Sequence, residues 1–161
     1  MSSLQMLIDL FNTANGVEPP LGADKLDIGT PRVLVGVEGA NTVVPVTGKL
    51  KEGIVGTVEF EYNRISLPAL FSTFQPTANV SPNLATTRDA MDSINRQYGL
   101  DVPLEDVIEE TISGDTATIR IVEGSYRWVG SLVAHVGLEL TDINTSLLVG
   151  DLDGFVYPTI S

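Results

Sequence analysis

None of the 161 residues is a cysteine. That absence excludes a disulfide framework, a thiolate nucleophile and a cysteine-ligated zinc site. Histidine occurs once, at His135, so a two-histidine zinc or iron site cannot form within one chain. A Ser-His-Asp arrangement would depend on that one imidazole, and no strained, glycine-flanked serine is present to serve it. Basic residues are scarce: 9 Lys and Arg face 21 Asp and Glu, for a net charge of -12. Affinity for phosphate backbones comes mainly from Lys and Arg displacing counterions, so nucleic acid is excluded as a partner. An acidic surface serves solubility at high local concentration, or complements a basic partner surface. No stretch approaches 18 uninterrupted apolar residues, and no basic N-terminal segment leads into an apolar run. The expectation is a soluble protein with no membrane partner and no export signal. Only 6% of the residues are aromatic, fewer than a sugar-stacking face would use.

What is present is a chain long enough for one domain. At this size roughly two-thirds of the unfolded surface can be buried, so folding needs neither metal nor cofactor. The stretch around which the rest is organised covers residues 56–71, GTVEFEYNRISLPALF. Val58, Phe60 and Tyr62 alternate with Thr57, Glu59, Glu61 and Asn63, the period of a half-buried strand. Ile65, Leu67, Leu70 and Phe71 carry apolar side chains past the strand end. Pro68 stops a simple continuation of the ladder, which predicts a short segment folding back on the sheet.

The spacing predicts a helix over residues 2–14. Ser2 and Gln5 have capping-box spacing, Leu4, Leu7, Ile8 and Phe11 form one stripe, and Asn15-Gly16 supplies a left-handed stop. A helix this short is marginal alone, so its stripe docks either on the chain's own sheet or in a groove of a neighbouring subunit. Leu4, Leu7, Ile8 and Phe11 are therefore the candidate partner-binding residues. Residues 17–28 read as a loop. Strands follow at residues 32–37, 42–47 and 54–62 as an antiparallel meander. Residues 73–85, with Pro76 and Pro82, read as an exposed crossover or extended arm. Thr86 caps a second helix, with Ala90, Met91, Ile94 and Tyr98 as its stripe and Gly99 as its stop. Pro103 starts a further helical turn over residues 104–110. Residues 116–122 and 128–140 alternate as strands, and residues 147–149 and 155–157 end the pattern. In domain terms, residues 1–16 are an N-terminal helix, and residues 17–161 form a single β-rich domain with a helical insertion at about 86–110.

No constellation of residues carries a reaction. His135 lies mid-strand and reads as a strand-face residue. The sequence Asp151-Leu152-Asp153-Gly154 has the alternate aspartates of a calcium loop but lacks its later glutamate, and reads as an Asp-Gly turn. Glu105, Asp106, Glu109 and Glu110 read as a solvated helical face rather than a glycosidase pair. The segments 29–32 and 36–39 lack the lysine and following helix of a phosphate loop. Trp128 reads as a core anchor at a strand start, with Tyr126 and Arg127 beside it as the alternative of an exposed aromatic and basic spot. The chain is expected to be no enzyme and to hold no metal.

Three groups of residues carry a resemblance: Tyr62, Asn63, Arg64, Leu70 and Phe71; then Asn95, Tyr98, Gly99, Leu100, Asp106 and Val107; then Trp128, Gly130 and Ser131. In this order they resemble a family of uncharacterised structural proteins of large tailed bacteriophages, over roughly residues 29–140. Val107 stands where isoleucine is commoner in that family. The motifs concern packing: Arg64 can bridge carboxylate or carbonyl groups of the helix-turn unit, and Gly99 takes a left-handed conformation. Together these readings predict an α+β fold. It is an antiparallel β-sandwich or rolled sheet of about six to eight strands, with an N-terminal helix and an inserted helix-turn unit. The resemblance implies a virion protein made in the host cytoplasm, with other virion proteins as partners and homo-oligomers within the particle. The leading expectation is a capsid decoration (cement) protein on the assembled shell. A neck, tail or baseplate protein is the alternative, and a host- or carbohydrate-binding sandwich module the second alternative.

Overall fold

The computed structural model describes residues 2–36, 38–80 and 85–138. It is an α+β fold with an N-terminal helix and several antiparallel strand pairs. Helix α1 (Ser3–Asn15) begins where the Ser2 hydroxyl accepts the Gln5 N–H at 3.3 Å and ends at Gly16, φ 57°. Only half of the capping box is made, because the Gln5 amide reaches forward to Asp9 at 2.8 Å.

The first sheet comprises β1 (Leu26–Ile28), β2 (Arg32–Val33), β3 (Thr42–Gly48) and β4 (Thr57–Tyr62). β3 is its middle strand, antiparallel to all three others, with β1 and β2 end to end on one side and β4 on the other. A proline inside a middle strand needs a reason, since it cannot donate to the ladder. Pro45 falls opposite the gap between β1 and β2, where its carbonyl accepts the Gly29 N–H at 2.9 Å and no donor is missed. Gly29 is required there, for an added Cβ would lie 2.5 Å from the Pro45 ring. The meander is thus as expected, although β1 comes out of the predicted loop and β2 is cut to two residues. On the face shared by Leu26, Val44, Val46 and Tyr62, α1 lays Leu7 and Phe11, and these six residues form one core.

Past Tyr62 the chain does not fold back on this sheet. β5 (Ile65–Ser66) pairs in parallel with β8 (Trp128–Val129), and α2 (Leu67–Leu70) turns away with Leu67 fully buried. The stretch read as organising the chain is therefore the crossing between two cores: Tyr62 belongs to the first, Leu67 and Phe71 to the second. Leu70 is exposed.

The second core covers a sheet of β6 (Thr77–Val80), β9 (Ser131–Leu138) and β7 (Thr116–Arg120), in that order. Residues 73–85 were expected as an exposed arm. Instead residues 77–80 are β6, parallel to β9, with Ala78 and Val80 buried. A four-residue strand with only two inward side chains leaves too short an alternation to stand out beside two prolines. Helix α3 (Thr87–Tyr98) lies over β6 and β7 with Ala90, Met91 and Ile94 fully buried. Its capping box pairs Thr86 with Asp89, and Gly99 at φ 66° lets the Leu100 N–H reach the Asn95 carbonyl at 3.0 Å. The predicted helical turn over residues 104–110 shrinks to a single 3-10 turn at Leu104–Asp106. Beyond it the chain is extended: Val107 bridges Ile121, and the Ile108 N–H donates to Arg120 at 2.9 Å. The unpaired side of β7 captures this segment, which outweighs the local helical preference of its glutamates.

The long strand predicted over residues 128–140 is broken at Gly130, φ 100°. Its two halves serve different sheets, β8 pairing with β5 and β9 with β6 and β7.

Candidate functional site

The residues that look most chemical converge on the crossing between the cores. Arg64 is only 6% exposed. Its Nε donates to the Thr42 hydroxyl at 3.0 Å, and its Nη1 to the carbonyls of Glu123 and Ser125, each at 3.2 Å. Ser125, 1% exposed, donates its hydroxyl proton to Asp106 Oδ2 at 2.7 Å and accepts the Trp128 N–H at 3.1 Å. The Asp106 carbonyl accepts the Val122 N–H at 2.8 Å. A buried cation and a buried carboxylate thus stand on the two sides of Ser125, each desolvated and each bonded. Arg64 does bridge carbonyls, as its position after a strand suggests. They belong to the turn before β8 rather than to the helix-turn unit after α3. These groups are spent on one another, so their work is to clamp the strand crossing.

Three asparagines share one repeated geometry, and one of them, Asn41, braces the clamp itself. The Asn41 amide donates to the Arg64 carbonyl at 2.9 Å and accepts its N–H at 2.8 Å. Asn12 does the same to Leu21 at 2.8 and 3.0 Å, and Asn95 to Val102 at 2.8 and 3.1 Å. A side-chain amide here imitates a backbone peptide and pins a loop that no strand reaches. Sequence reasoning missed these roles and that of Ser125. For Asn12 and Asn95 the available signal was an asparagine beside the apolar stripe of α1 or α3, where a solvated polar residue has no need to sit.

Tyr62 is buried, and among the described residues its hydroxyl has no hydrogen-bond partner. Burial pushes its pKa up to about 12; the Arg64 charge opposes the shift and Tyr126 adds to it. The unfolded phenol ionises near 10. Stability from this group is therefore complete below about pH 10 and is lost as pH rises toward 12, by on the order of 2 kcal/mol. Tyr62→Phe is expected to leave stability at pH 7 unchanged or slightly higher, since an orphaned hydroxyl is removed. It should also flatten the alkaline decline; urea unfolding at pH 8 and pH 11 checks both, and an equally steep decline in the variant overturns the assignment.

The predicted site residues are distributed as follows. Leu7, Ile8 and Phe11 are buried within their own chain, with Leu7 and Phe11 in the core against the first sheet, while Leu4 is half-buried. Leu7 and Phe11 of the stripe thus pack on the chain's own sheet. His135 sits on the exposed face of β9. The acidic cluster is dispersed: Asp106 turns inward to Ser125, Glu109 pairs with Arg88 at 3.1 Å, and Glu110 pairs with Arg120 at 2.9 Å. Arg32 pairs with Glu59 across β3. Trp128 is core, 2% exposed, and Arg127 lies 5.4 Å from its ring centroid while bonding Asp101 at 2.7 Å. Residues 151–154 lie outside the described residues.

One small cleft, about 270 Å³, opens between α1 and the end of β4, lined by Leu7, Leu10, Tyr62 and Ile65 with Arg127 at its rim. It sits at the Tyr62 end of β4, and Tyr126 also lines it. Among the described residues, no cluster of three or more metal-ligating side chains forms. No helix among them is long and apolar enough to cross a membrane.

No curated protein matches the chain, and no solved structure does. One family matches it from end to end, the N-terminal helix included: over residues 1–161 the chain belongs to DUF7941, a family of unknown function.

Proposed function

We propose that the protein is a non-catalytic structural component that acts through contacts with other proteins. Its setting is a tailed-phage particle, as the resemblance implies, and its role is decoration of the assembled capsid shell. The observation that supports this reading is where the residues of the resemblance go. Tyr62, Arg64, Phe71, Asp106 and Trp128 are buried in the cores or in the clamp between them. Asn95 and Gly99 hold the turn that ends α3, and Gly130 makes the bend between β8 and β9. Residues that define a likeness and also define packing specify a shape to be presented, not a reaction. A net charge of -12 suits a module crowded at high local concentration and matched to basic partner surfaces.

Copy number per particle is the test. Quantitative mass spectrometry of purified particles is expected to find on the order of hundreds of copies, one set for each symmetry-related shell position. A single small ring per particle would move the assignment to the neck, tail or baseplate. Absence from particles would overturn the proposal.

A further inference from the structure

The two sheets treat their outer edges differently. Along β6 the edge is sealed by α3: the Thr77 N–H meets the Tyr98 hydroxyl at 3.5 Å and the Asn79 N–H meets Ser93 Oγ at 2.9 Å. Along β4 there is no such cover. The Gly48 N–H donates to the Gly56 carbonyl at 2.9 Å, which by alternation puts the bonds from β4 to β3 on Val58, Phe60 and Tyr62. The N–H and C=O of Thr57, Glu59 and Glu61 therefore face away from β3, and among the described residues none bonds them. An open edge of this length is a template for another strand unless charge or a cover blocks it.

The side chains along the edge state what fits. On the outer face Glu59 and Glu61 project; Arg32 meets Glu59, and Glu61 has no cation partner among the described residues. On the inner face Val58 is 53% exposed, and past Phe60 the cleft of Leu7, Leu10, Tyr62 and Ile65 lies beside the strand end. A second copy of β4 laid antiparallel would set glutamates against glutamates on one face, which is unfavourable. Residues 139–161 carry Glu139, Asp142, Asp151 and Asp153 but no Lys or Arg, so this chain's own end lacks the matching charge.

We infer that the β4 edge accepts an added strand from another protein: an extended segment in which Lys or Arg alternates with apolar residues. Its main-chain groups complete the ladder of Thr57, Glu59 and Glu61. Its cations lie over Glu59 and Glu61, and its apolar side chains cover Val58 and enter the cleft beside Tyr62. The inference goes beyond the proposed virion role, since it holds for any partner of this chemistry.

A labelled peptide of about ten residues alternating lysine and valine is the probe, with a control of equal charge carrying two central prolines. The 161-residue chain is expected to bind the first saturably and the control at least about tenfold more weakly, the equivalent of one or two lost ladder bonds. Glu59→Pro removes an outward N–H without touching the bonds to β3, and should weaken binding by a similar factor. Glu61→Lys, which leaves the backbone intact, should weaken it several-fold by charge reversal. Hydrogen exchange should show the Glu59 and Glu61 amides unprotected in the free protein and slowed by the peptide. The inference is overturned by no saturable binding, by equal binding of the control peptide, or by binding that neither substitution weakens. It is equally overturned if those amides are already protected in the free protein, by its own residues 139–161 or by a second copy in a dimer.

Discussion

Replacing Arg64 by methionine is expected to remove about 3–5 kcal/mol of stability, the usual cost of taking one partner from a buried, bonded charge network. Against a typical total of about 5–15 kcal/mol, that loss leaves a marginal fold. Methionine fills much the same space, so the effect is not that of a cavity. What is lost is the donor set: the Thr42 hydroxyl and the carbonyls of Glu123 and Ser125 remain buried without their partner. Asp106 would also stay buried at 7% exposure, bonded to Ser125, with the guanidinium on the far side of Ser125 gone. Arg64→Lys should fall between wild type and methionine, because one ammonium cannot replace a fork whose nitrogens serve separate acceptors. Urea unfolding measures the loss, with an unchanged slope showing that the same surface is exposed. A double-mutant cycle with Asp106→Asn should show coupling, since Ser125 joins the two groups. A loss below about 1 kcal/mol for Arg64→Met would mean that the crossing is held by its apolar contacts alone.

The legibility of this fold in its sequence follows from how local each signal is. Helices α1 and α3 are readable because cap, stripe and glycine stop all lie within one short window: Ser2 to Gly16, and Thr86 to Gly99. The β3–β4 pairing is readable for the same reason, through alternation and a short connection. What could not be read depends on partners distant in sequence. Residues 77–80 are a strand because β9 lies beside them, and residues 107–108 are extended because the edge of β7 captures them. Arg64 shows a comparable division. Its position after a strand suggested a bridging role, but its acceptors lie 59 and 61 residues away, where no window of sequence shows them. The apolar stripe of α1 was visible; that its Phe11 packs edge-on to Phe60 of β4, at 5.3 Å, was not.

The same dependence on distant partners makes Gly130 a sensitive position, and Gly130→Ala is expected to cost about 2–5 kcal/mol through two separable effects. One is conformational. At φ 100° a residue with a side chain is strained whatever space surrounds it, and the bend between β8 and β9 needs that angle. The other is steric, because an added Cβ would lie 2.7 Å from Pro68 Cδ and 3.0 Å from its Cγ. Relaxing either one by straightening the strand would pull Trp128 from its pairing with Ile65, or Ser131 from its pairing with Arg120. The bend is what allows one stretch of chain to serve both the crossing and the second sheet. Pro68→Ala separates the two effects, since it removes the ring and leaves the backbone angle. In that background Gly130→Ala should cost about 1–3 kcal/mol, the conformational part alone. Thermal and urea unfolding of the two single variants and the double variant give the cycle. Equal costs in both backgrounds would assign the whole effect to the backbone angle. An unchanged melting temperature for Gly130→Ala would show that the strand bends without the glycine.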